Sequence, residues 1–299
     1  MVTKSGFITI VGRPNVGKST LINRLAGEKI AITSPKPQTT RTNLHAILTE
    51  DSYQMIFVDT PGIHAPKNKL GEYMTQSAHG TLSEVDVVVY VCDSTEKTIL
   101  QSDLKIIDLL RPLKKPVYLV LNKTDAVAKE ILLEKIQILS EKMQFTEIIP
   151  LSAKTGDGVN LLKELLIKSL PEGPAYFPED ILTDTSVRDL CREIIREKVL
   201  LFTTEEVPHG VGIEIVAFNE AKKAGGVTTI DANIYCEKDT HKGILIGKQG
   251  AMLKKIGTAA RKEMEKLLDT RVNLRLWVKV REDWRNNPNM LKELGFEQP

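Results

Sequence analysis

A chain of 299 residues is longer than a single hydrophobic core usually serves, so two domains are expected. Its 41% apolar and 27% charged residues are typical of a globular protein and exclude a fibrous or disordered chain, while a formal net charge of +2 gives no global sign of a polyanionic partner. The cysteines Cys92, Cys191 and Cys236 are widely spaced and lie outside any CxxC pattern, which argues against a disulfide framework or a zinc site.

The first motif is a glycine-rich loop between an apolar strand at residues 7–11 and an amphipathic helix. Its spacing is GxxxxGKS, the pattern of a phosphate-binding loop. Glycines at both ends let the backbone N–H groups turn toward an anion, and the helix N-terminus adds partial positive charge. We expect Lys18 to reach the β- and γ-phosphates of a nucleotide and the Ser19 hydroxyl to ligate Mg²⁺. The loop comprises Gly12, Arg13, Pro14, Asn15, Val16, Gly17, Lys18 and Ser19.

A polar, proline-containing loop at residues 29–41 follows, of a length that often carries function. Two strands are predicted next, at 43–50 and 53–58, joined by a short turn. The second strand ends in Asp59, Thr60, Pro61 and Gly62. A carboxylate at this strand end can hold Mg²⁺ through water, and the Gly62 N–H can meet a γ-phosphate. Residues 63–80 are predicted to form a second mobile segment that leads into a helix.

Alternating strands and helices continue to residue 170. Strands are predicted at 85–92, 116–121 and 147–151, with helices at about 100–110, 129–143 and 159–170. This rhythm implies βαβ units, so we expect an α/β domain with a mostly parallel six-stranded sheet and flanking helices. Ligands bind at the carboxyl ends of such strands, which is where all the motifs fall.

Two of these strand ends predict the base that is bound. They deliver Asn122, Lys123, Thr124 and Asp125, then Ser152, Ala153 and Lys154. Asp125 can accept hydrogen bonds from the N1–H and the exocyclic amine of guanine, whereas adenine offers neither donor there and would leave a buried carboxylate unpaired. We expect Asn122 to brace the base and the phosphate loop, the Lys123 stem to cover the ring, and the Ala153 N–H to meet guanine O6. The motif order therefore predicts a guanine nucleotide.

Proline and glycine cluster at residues 171–178, which cannot continue the preceding helix and are typical of a semi-rigid linker. The expected division is a nucleotide-binding domain at 1–174, a linker at 175–183, and a second domain with a C-terminal tail at 184–299. The second domain is predicted to contain a helix at 187–201, antiparallel strands at 211–219 and 228–237, and a short helix. A turn, a long basic helix to about residue 268 and a strand at 272–280 follow.

The turn of the second domain is Gly247, Lys248, Gln249 and Gly250. A second phosphate loop is disfavoured, because only two residues separate the glycines and no Lys-Ser follows. A GxxG turn between two helices lets the phosphates of a single strand lie against backbone while bases occupy an adjacent apolar groove. The turn and the element order helix, strand, strand, helix, helix, strand resemble the bacterial, type II, form of the KH domain.

Local charge supports an RNA surface around this turn. Residues 238–281 contain twelve Lys or Arg against four Asp or Glu. A solvated helix face explains Lys262 and Lys266 well, but it explains poorly a lysine inside the turn. Aromatic residues are scarce, so apolar and phosphate contacts should dominate. The expected RNA contacts are Lys242, Gly243, Ile244, Ile246, Gly247, Lys248, Gln249, Gly250 and Lys254.

The five nucleotide motifs, in this order over about 170 residues, resemble the translation-factor-related class of GTPases. The resemblance implies a switch loop at Gln38, Thr39, Thr40, Arg41 and Thr42. Thr39 or Thr40 would close over Mg²⁺ and the γ-phosphate, and Thr40 is preferred. Ile63 stands where Ras-like enzymes carry the glutamine that positions water. Asn15 matches the residue that binds K⁺ in related enzymes, so the catalytic set is expected to be Asn15, Lys18, Thr40 and Gly62, with Ser19, Thr40 and Asp59 around Mg²⁺.

With the KH-like half included, nearly the whole chain resembles the Era-type GTPase family, among the TrmE-Era-EngA-like GTPases. That resemblance implies GTP hydrolysis with GTP or GDP, Mg²⁺ and a hypothesised K⁺, binding of the 16S rRNA 3′ region, and assembly of the small (30S) ribosomal subunit. It implies a monomer that binds no DNA.

The competing classes are a signalling GTPase whose KH-like unit binds protein or other RNA, a translation factor, and a tRNA-modification GTPase, which would need domains that this length does not contain. Residues 1–5 leave no room for a signal peptide and no stretch reaches the roughly 20 apolar residues of a membrane span. The widely spaced cysteines predict reduced cytosolic thiols, and the family resemblance implies a mostly cytoplasmic protein with a peripheral fraction on the inner face of the cell membrane.

Overall fold

The computed structural model describes residues 2–34, 36, 38–63, 66–204, 206–221, 223 and 225–296. Pro35 and Pro37 of the predicted loop lie outside these residues, as do His64 and Ala65 of the predicted mobile segment and the last three residues of the predicted tail. Contacts divide the chain into two compact units. The first comprises Met1–Thr33, Thr40–Ala65 and Met74–Asp184, and the second comprises Ser34–Thr39, Pro66–Tyr73 and Thr185–Pro299.

The first unit is built on a six-stranded sheet of order β2-β3-β1-β4-β5-β6. Only β2 runs antiparallel to its neighbour, and the other neighbouring strands are parallel, which confirms the predicted α/β architecture. The elements are β1 (Lys4–Val11), α1 (Lys18–Ala26), β2 (Leu44–Glu50), β3 (Tyr53–Asp59), α2 (Lys69–Glu84), β4 (Val87–Asp93), α3 (Gln101–Leu110), β5 (Val117–Asn122), α4 (Lys129–Lys142), β6 (Glu147–Pro150) and α5 (Val159–Ser169).

The centre of this sheet is buried on both faces. Every residue of β3, β4 and β5 is buried, as expected for parallel strands covered on both sides. Val, Ile and Leu, together with Met, Phe and Tyr, supply the apolar surface of these strands, and burial of that surface drives the packing. The polar residues that end these strands therefore emerge at one edge of a rigid core.

The predicted linker is fastened to the first unit along much of its length. Gln54 of β3 is fully buried and accepts hydrogen bonds from the Tyr176 and Phe177 amides at 2.8 and 3.0 Å. Its amide nitrogen donates to the Phe177 carbonyl at 2.8 Å, and the Ile47 amide donates to the Leu182 carbonyl at 2.8 Å. The first unit accordingly runs to Asp184.

The second unit packs helices against a three-stranded sheet of order β7-β8-β9. β7 and β8 are antiparallel, as predicted, and β9 joins parallel to β8. Ser186 caps the first helix by accepting a hydrogen bond from the Asp189 amide. The elements are α6 (Val187–Phe202), β7 (Gly212–Asn219), β8 (Val227–Cys236), α7 (Asp239–Ile246), α8 (Ala251–Leu268), β9 (Arg271–Val280) and α9 (Pro288–Glu293).

One apolar core holds this unit together, and a buried residue also lies past the last strand. It includes Ile195 of α6, Ile234 of β8 and Ile256 of α8. Trp284 lies beyond β9, is fully buried, and donates from Nε1 to the Gly210 carbonyl at 2.9 Å. The described part of the predicted tail, up to residue 296, thus belongs to the folded unit. Within the described ranges, none of the helices combines the length and apolarity needed to cross a bilayer.

Candidate nucleotide and RNA sites

The glycine-rich loop connects β1 to α1 and lies close to the end of β5. Gly17 has a φ of 102°, and a Cβ at this position would lie 2.3 Å from Nδ2 of Asn122. Asn15 has a φ of 66°, in the left-handed region that asparagine tolerates better than most residues. Position 17 therefore needs glycine, because the backbone there passes close to the Asn122 side chain. Glycine also lets the loop turn sharply into α1.

Lys18 begins α1 and turns back into the loop. Its Nζ donates to the carbonyls of Gly12 and Arg13 at 3.2 and 3.0 Å. Burial lowers the pKa of Lys18 to about 8, and the Asp59 carboxylate opposes that shift. A cation enclosed by the loop is well placed to meet the charge of a phosphate.

Three oxygen-bearing side chains from different segments converge next to this lysine. Oδ2 of Asp59 accepts hydrogen bonds from Ser19 Oγ and Thr40 Oγ1, both at 2.9 Å, and the two hydroxyls are 3.1 Å apart. Asp59 is only 1% exposed, and burial raises its pKa against the effects of Lys18 and the two hydroxyls. In the described part of the chain its Oδ1 has no hydrogen-bond partner. Hydroxyl and carboxylate oxygens with an unused acceptor fit a hard divalent cation such as Mg²⁺.

The two threonines of the predicted switch loop have different hydrogen-bond partners. The hydroxyl of Thr39 donates to the Lys36 carbonyl at 2.7 Å, whereas that of Thr40 joins Ser19 and Asp59. Of the two hydroxyls, only that of Thr40 therefore lies beside Ser19 and Asp59 among the hydrogen bonds of the described residues. Gln38, Arg41 and Thr42 make none of the Asp59 contacts just described; Gln38 has a φ of 61° and Arg41 is buried.

The end of β3 brings its backbone close to the phosphate loop. A Cβ on Gly62 would lie 3.0 Å from the Pro14 nitrogen, and Thr60 Oγ1 donates to the Ile10 carbonyl at 3.1 Å. Ile63 is partly buried and packs against the core. Glycine at position 62 thus allows its N–H to approach the loop, while position 63 presents no polar group.

Asn122 connects the predicted base site to the phosphate loop. Its Nδ2 donates to the Val16 carbonyl at 2.7 Å, and its Oδ1 accepts from the Ala153 amide at 3.0 Å. Ser152 Oγ donates to Asp125 Oδ1 at 2.7 Å, and Lys154 Nζ lies 3.9 Å from Asp125 Oδ2. Because one side chain bonds to both loops, the sheet edge fixes their separation before any ligand binds.

Some side chains that hold the nucleotide motifs were missed by sequence reasoning. Lys123 pairs with Asp93 at 2.5 Å, and the buried Lys135 donates to the Asp93 carbonyl at 2.8 Å. Burial alone would raise the pKa of Asp93, but hydrogen bonds from Lys123 and Thr95 outweigh it and leave the pKa lowered. A single aspartate at the end of β4 has no spacing that distinguishes it, although its place at a strand's carboxyl end was a usable signal.

The segment after α1 is anchored by another unpredicted residue. Asn23 accepts from the amides of Ile30 and Ala31 at 3.0 and 2.8 Å, and donates to the Ala31 carbonyl at 2.7 Å. Asparagine can satisfy backbone donors and acceptors at once. The start of the polar loop predicted at residues 29–41 is therefore tied to the helix that follows the phosphate loop.

Arg13 of the phosphate loop points away from Lys18 and into an acidic cluster. It pairs with Asp103 at 2.9 Å and with Glu96 at 3.3 Å. Asp103 is 1% exposed and also accepts a hydrogen bond from Tyr90 at 2.9 Å. Because a buried carboxylate needs such partners, this cluster anchors the loop to α3.

In the second unit, the GxxG turn is defined by its backbone. Gly247, Gln249 and Gly250 have φ values of 71°, 52° and 79°, and a Cβ on Gly247 would lie 2.8 Å from the Met252 nitrogen. Only glycine fits at position 247 without a shift of the following helix. Lys248 and Gln249 are exposed at the tip, so the turn presents cation and backbone to solvent.

The other predicted RNA residues flank the turn. Gly243 and Ile244 of α7 are exposed, Lys242 is half-buried, and Lys254 is exposed on α8. Ile246 instead packs against the core of the unit. A groove runs from the turn between α8 and β9, and sequence reasoning missed most of its lining, which is Gly250, Leu253, Lys254, Gly257, Thr258, Arg261, Leu274 and Leu276.

Comparison with known proteins places both units in families. A family model described as 50S ribosome-binding GTPase matches residues 7–123, and a KH domain model matches residues 206–285. GTPase Era of Clostridium novyi is 52% identical over 295 residues, and GTPase Era of Ruminiclostridium cellulolyticum is 52% identical over 297 residues; each alignment covers 99% of both chains.

Solved structures agree over the full length. Era in complex with MgGDPNP and nucleotides 1506–1542 of 16S ribosomal RNA matches with a TM-score of 0.92 and 40% identity, over 98% of this chain and 99% of that chain. An Aquifex aeolicus Era variant bound to GDP.AlF4- matches with the same values. The chain therefore belongs to the Era family of GTPases and joins a P-loop GTPase domain to a C-terminal KH domain.

Proposed function

We propose that this GTPase binds GTP or GDP with Mg²⁺ in its first unit and binds the 3′ region of 16S rRNA through the GxxG turn of its second unit, acting in assembly of the small ribosomal subunit. The nucleotide-binding part of this proposal is supported by Asn122, because its side-chain amide forms hydrogen bonds with both the phosphate loop and the Ala153 N–H. For the RNA half, a relative of 40% identity was solved with a 16S rRNA fragment.

The phosphates would lie along the loop from Gly12 to Ser19. Lys18 would exchange its bonds to the Gly12 and Arg13 carbonyls for the β- and γ-phosphates, and the Gly62 N–H would meet the γ-phosphate. Ser19 and Thr40 would hold Mg²⁺ directly and Asp59 through water; the ion, when bound, neutralises charge that develops on the phosphates. The contacting residues are Gly12, Arg13, Pro14, Asn15, Val16, Gly17, Lys18, Ser19, Asp59, Thr60, Pro61, Gly62 and Ile63.

The base would be recognised by the loops after β5 and β6. Asp125 would accept from guanine N1–H and the exocyclic amine, and the Ala153 N–H would turn from Asn122 to guanine O6. Ser152 already orients Asp125 through its 2.7 Å hydrogen bond. The contacting residues are Asn122, Lys123, Thr124, Asp125, Ser152, Ala153 and Lys154.

Hydrolysis would be slow without help, because Ile63 offers no group to orient water. Asn15 is proposed to hold a K⁺ ion that supports the transition-state charge from the phosphate loop. Replacing K⁺ by Na⁺ should therefore lower kcat by about tenfold or more, a part of what a cationic finger supplies. Equal turnover in the two salts would contradict this role.

RNA binding would use backbone and cations of the second unit. A single strand would place phosphates against the turn at residues 247–250 and bases in the groove between α8 and β9. The proposed contacts are Lys242, Gly243, Ile244, Ile246, Gly247, Lys248, Gln249, Gly250 and Lys254.

Crosslinking with sequencing tests the RNA assignment. Ultraviolet crosslinks in cells should map to the turn on the protein and to the 16S rRNA 3′ region on the RNA. Reads scattered over messenger RNA without ribosomal enrichment would defeat the assembly function and favour a regulatory GTPase of other partners.

Two finer proposals concern the oligomeric state and the cellular location. We propose a monomer in the cytoplasm with a peripheral fraction on the inner face of the cell membrane, in keeping with the family resemblance. Sedimentation of the purified protein and fractionation of cells test them. A dimer at micromolar concentration would contradict the proposed monomer. Absence from washed membranes would contradict the proposed peripheral fraction.

A further inference from the structure

Arg24 on α1 bonds to the loop after β6. Its Nε donates to the Ala153 carbonyl at 3.3 Å and its Nη2 to the Lys154 carbonyl at 2.6 Å. The arginine lies six residues after Lys18, on the helix that the phosphate loop begins. One guanidinium thus fastens two consecutive peptide carbonyls 129 and 130 residues further along the chain.

The same loop is held from its other side. The Ala153 amide donates to Asn122 at 3.0 Å, and Ser152 accepts from the Thr155 amide at 3.1 Å through its hydroxyl. Asn122 therefore fixes the N–H side of residue 153, while Arg24 fixes the carbonyl side. A peptide unit is planar, so holding its carbonyl also sets where the next N–H points.

We propose that Arg24 is a positioning residue for guanine binding: by holding the Ala153 carbonyl it sets the direction of the Lys154 N–H toward O6 of the base, and by also holding the Lys154 carbonyl it keeps the loop that carries the Ala153 N–H in place. This rests on the proposed guanine site. A guanidinium presents several donors in a rigid plane and can serve two acceptors at once, whereas an ammonium is a point charge on a flexible stem. Lysine at this position would keep the charge but lose the rigid planar fork, so it should hold the two carbonyls less firmly.

The test compares nucleotide affinity with turnover in the full-length protein. Arg24→Met should raise the Kd of GDP about three- to tenfold and the Kd of IDP by the same factor, because inosine keeps O6 and lacks only the exocyclic amine. The kcat at saturating GTP should stay within twofold, and Arg24→Lys should recover part of the affinity. A general loss of structure would lower kcat as well and would not respond to lysine.

Arg111→Met is the matched control. Arg111 also donates to a backbone carbonyl, that of Lys142 at 3.2 Å. It lies between the end of α3 and the start of β5, whereas the nucleotide motifs lie where the strands end. Its replacement should leave both Kd values unchanged. The proposal fails if Arg24→Met leaves the GDP Kd within twofold, if it weakens GDP but not IDP, if it lowers kcat without changing Kd, or if Arg111→Met has the same effect.

Asp125→Asn separates this failure from failure of the guanine site itself. It should shift preference from GDP toward XDP, since an amide can donate to the extra carbonyl of xanthine. If Asp125→Asn keeps its guanine preference, the proposed base site is wrong. If it shifts preference while Arg24→Met changes nothing, the base site stands and only the role of Arg24 falls.

Discussion

The nucleotide site of the first unit and the RNA turn of the second unit are built from different kinds of groups. In the first unit Asn122 and Asp59 are buried at 3% and 1% exposure and bond to neighbouring groups. In the second unit Lys248 and Gln249 are exposed, and the backbone angles of Gly247 and Gly250 define the shape. In the first unit, buried side chains that bond to one another fix the positions of the loops and of the hydroxyl and carboxylate groups near Lys18. Asp125, expected from the sequence to be buried, instead has a side chain that is 26% exposed and is held by Ser152. Exposed cations and backbone bind phosphate of any sequence.

This contrast implies that single substitutions act differently in the two places. A change in the first site should remove specificity or turnover almost entirely, because the groups there are interdependent. A change in the second should weaken binding by small steps that depend on salt. Three substitutions and one thiol-labelling measurement, given in order of decreasing expected effect, test this contrast.

The largest effect is expected at Asp59. Asp59→Asn keeps the size of the side chain but removes the charge that Ser19 and Thr40 surround, so kcat should fall by about 10²–10³. Single-turnover hydrolysis at saturating Mg²⁺ measures it. Asp51→Asn, in the exposed turn between β2 and β3, should leave kcat unchanged, and a loss of less than threefold at Asp59 would contradict the role assigned.

The cysteine thiols test whether the two cores are alike even though the two sites differ. All three thiols are buried, so both cores should protect them. Burial raises the pKa of Cys92 to about 12 and that of Cys191 to about 11, and it raises the pKa of Cys236 as well. At pH 8 the thiolate fraction of Cys191 is about a hundredfold below that of an ordinary thiol. Alkylation followed by mass spectrometry should therefore be slow in both units until urea unfolds them. Rapid labelling of Cys92 alone would indicate that the first core opens freely.

The backbone of the turn should tolerate less change than its side chains. Gly247→Ala places a Cβ 2.8 Å from the Met252 nitrogen at a φ of 71°, which should lower the free energy of unfolding of the second unit by about 1–3 kcal/mol. Gly243→Ala in α7, where a Cβ meets nothing within 4 Å, should be neutral or stabilising. Both tryptophans, Trp277 and Trp284, lie in this unit, so their fluorescence in a urea titration reports it. Equal effects of the two substitutions would refute a special role for position 247.

The smallest effect is expected at the tip of the turn. Lys248→Ala should weaken binding of a single-stranded 16S rRNA 3′ oligonucleotide a few-fold and reduce the slope of log K against log salt by about 0.7. Lys262→Ala, on α8, is the control and should change neither quantity. If both lysines contribute equally, the surface acts as a diffuse cationic face rather than through the turn.

Local patterns predicted the fold well because the strands are long, apolar and bounded by motifs. The strand predicted at 53–58 is observed as Tyr53–Asp59, and the helix predicted at 129–143 is observed as Lys129–Lys142. α9, at Pro288–Glu293, was not predicted, since six residues with little periodicity give no helical signal. Trp284 likewise gave no sign that its indole reaches Gly210 across 74 residues.

The residues of the nucleotide site were predictable where they belong to spaced motifs. Asp93 and Arg24 were not, because their partners are distant in sequence and each is a single residue of a common type. The attachment of the linker was missed for the same reason, since a buried glutamine within an apolar strand predicts only that some partner exists. Contacts of this kind become visible only when the sheet has placed the strands side by side.

The most direct test of the central assignment is the nucleotide selectivity of Asp125→Asn, measured as the ratio of Kd for XDP to Kd for GDP and set beside RNA affinity in the absence of nucleotide. We expect the ratio to fall by at least about a hundredfold, while the Kd for the 16S rRNA 3′ oligonucleotide stays within twofold of the unaltered protein. An unchanged preference for GDP would contradict the account, because it would mean that Asp125 does not read the base.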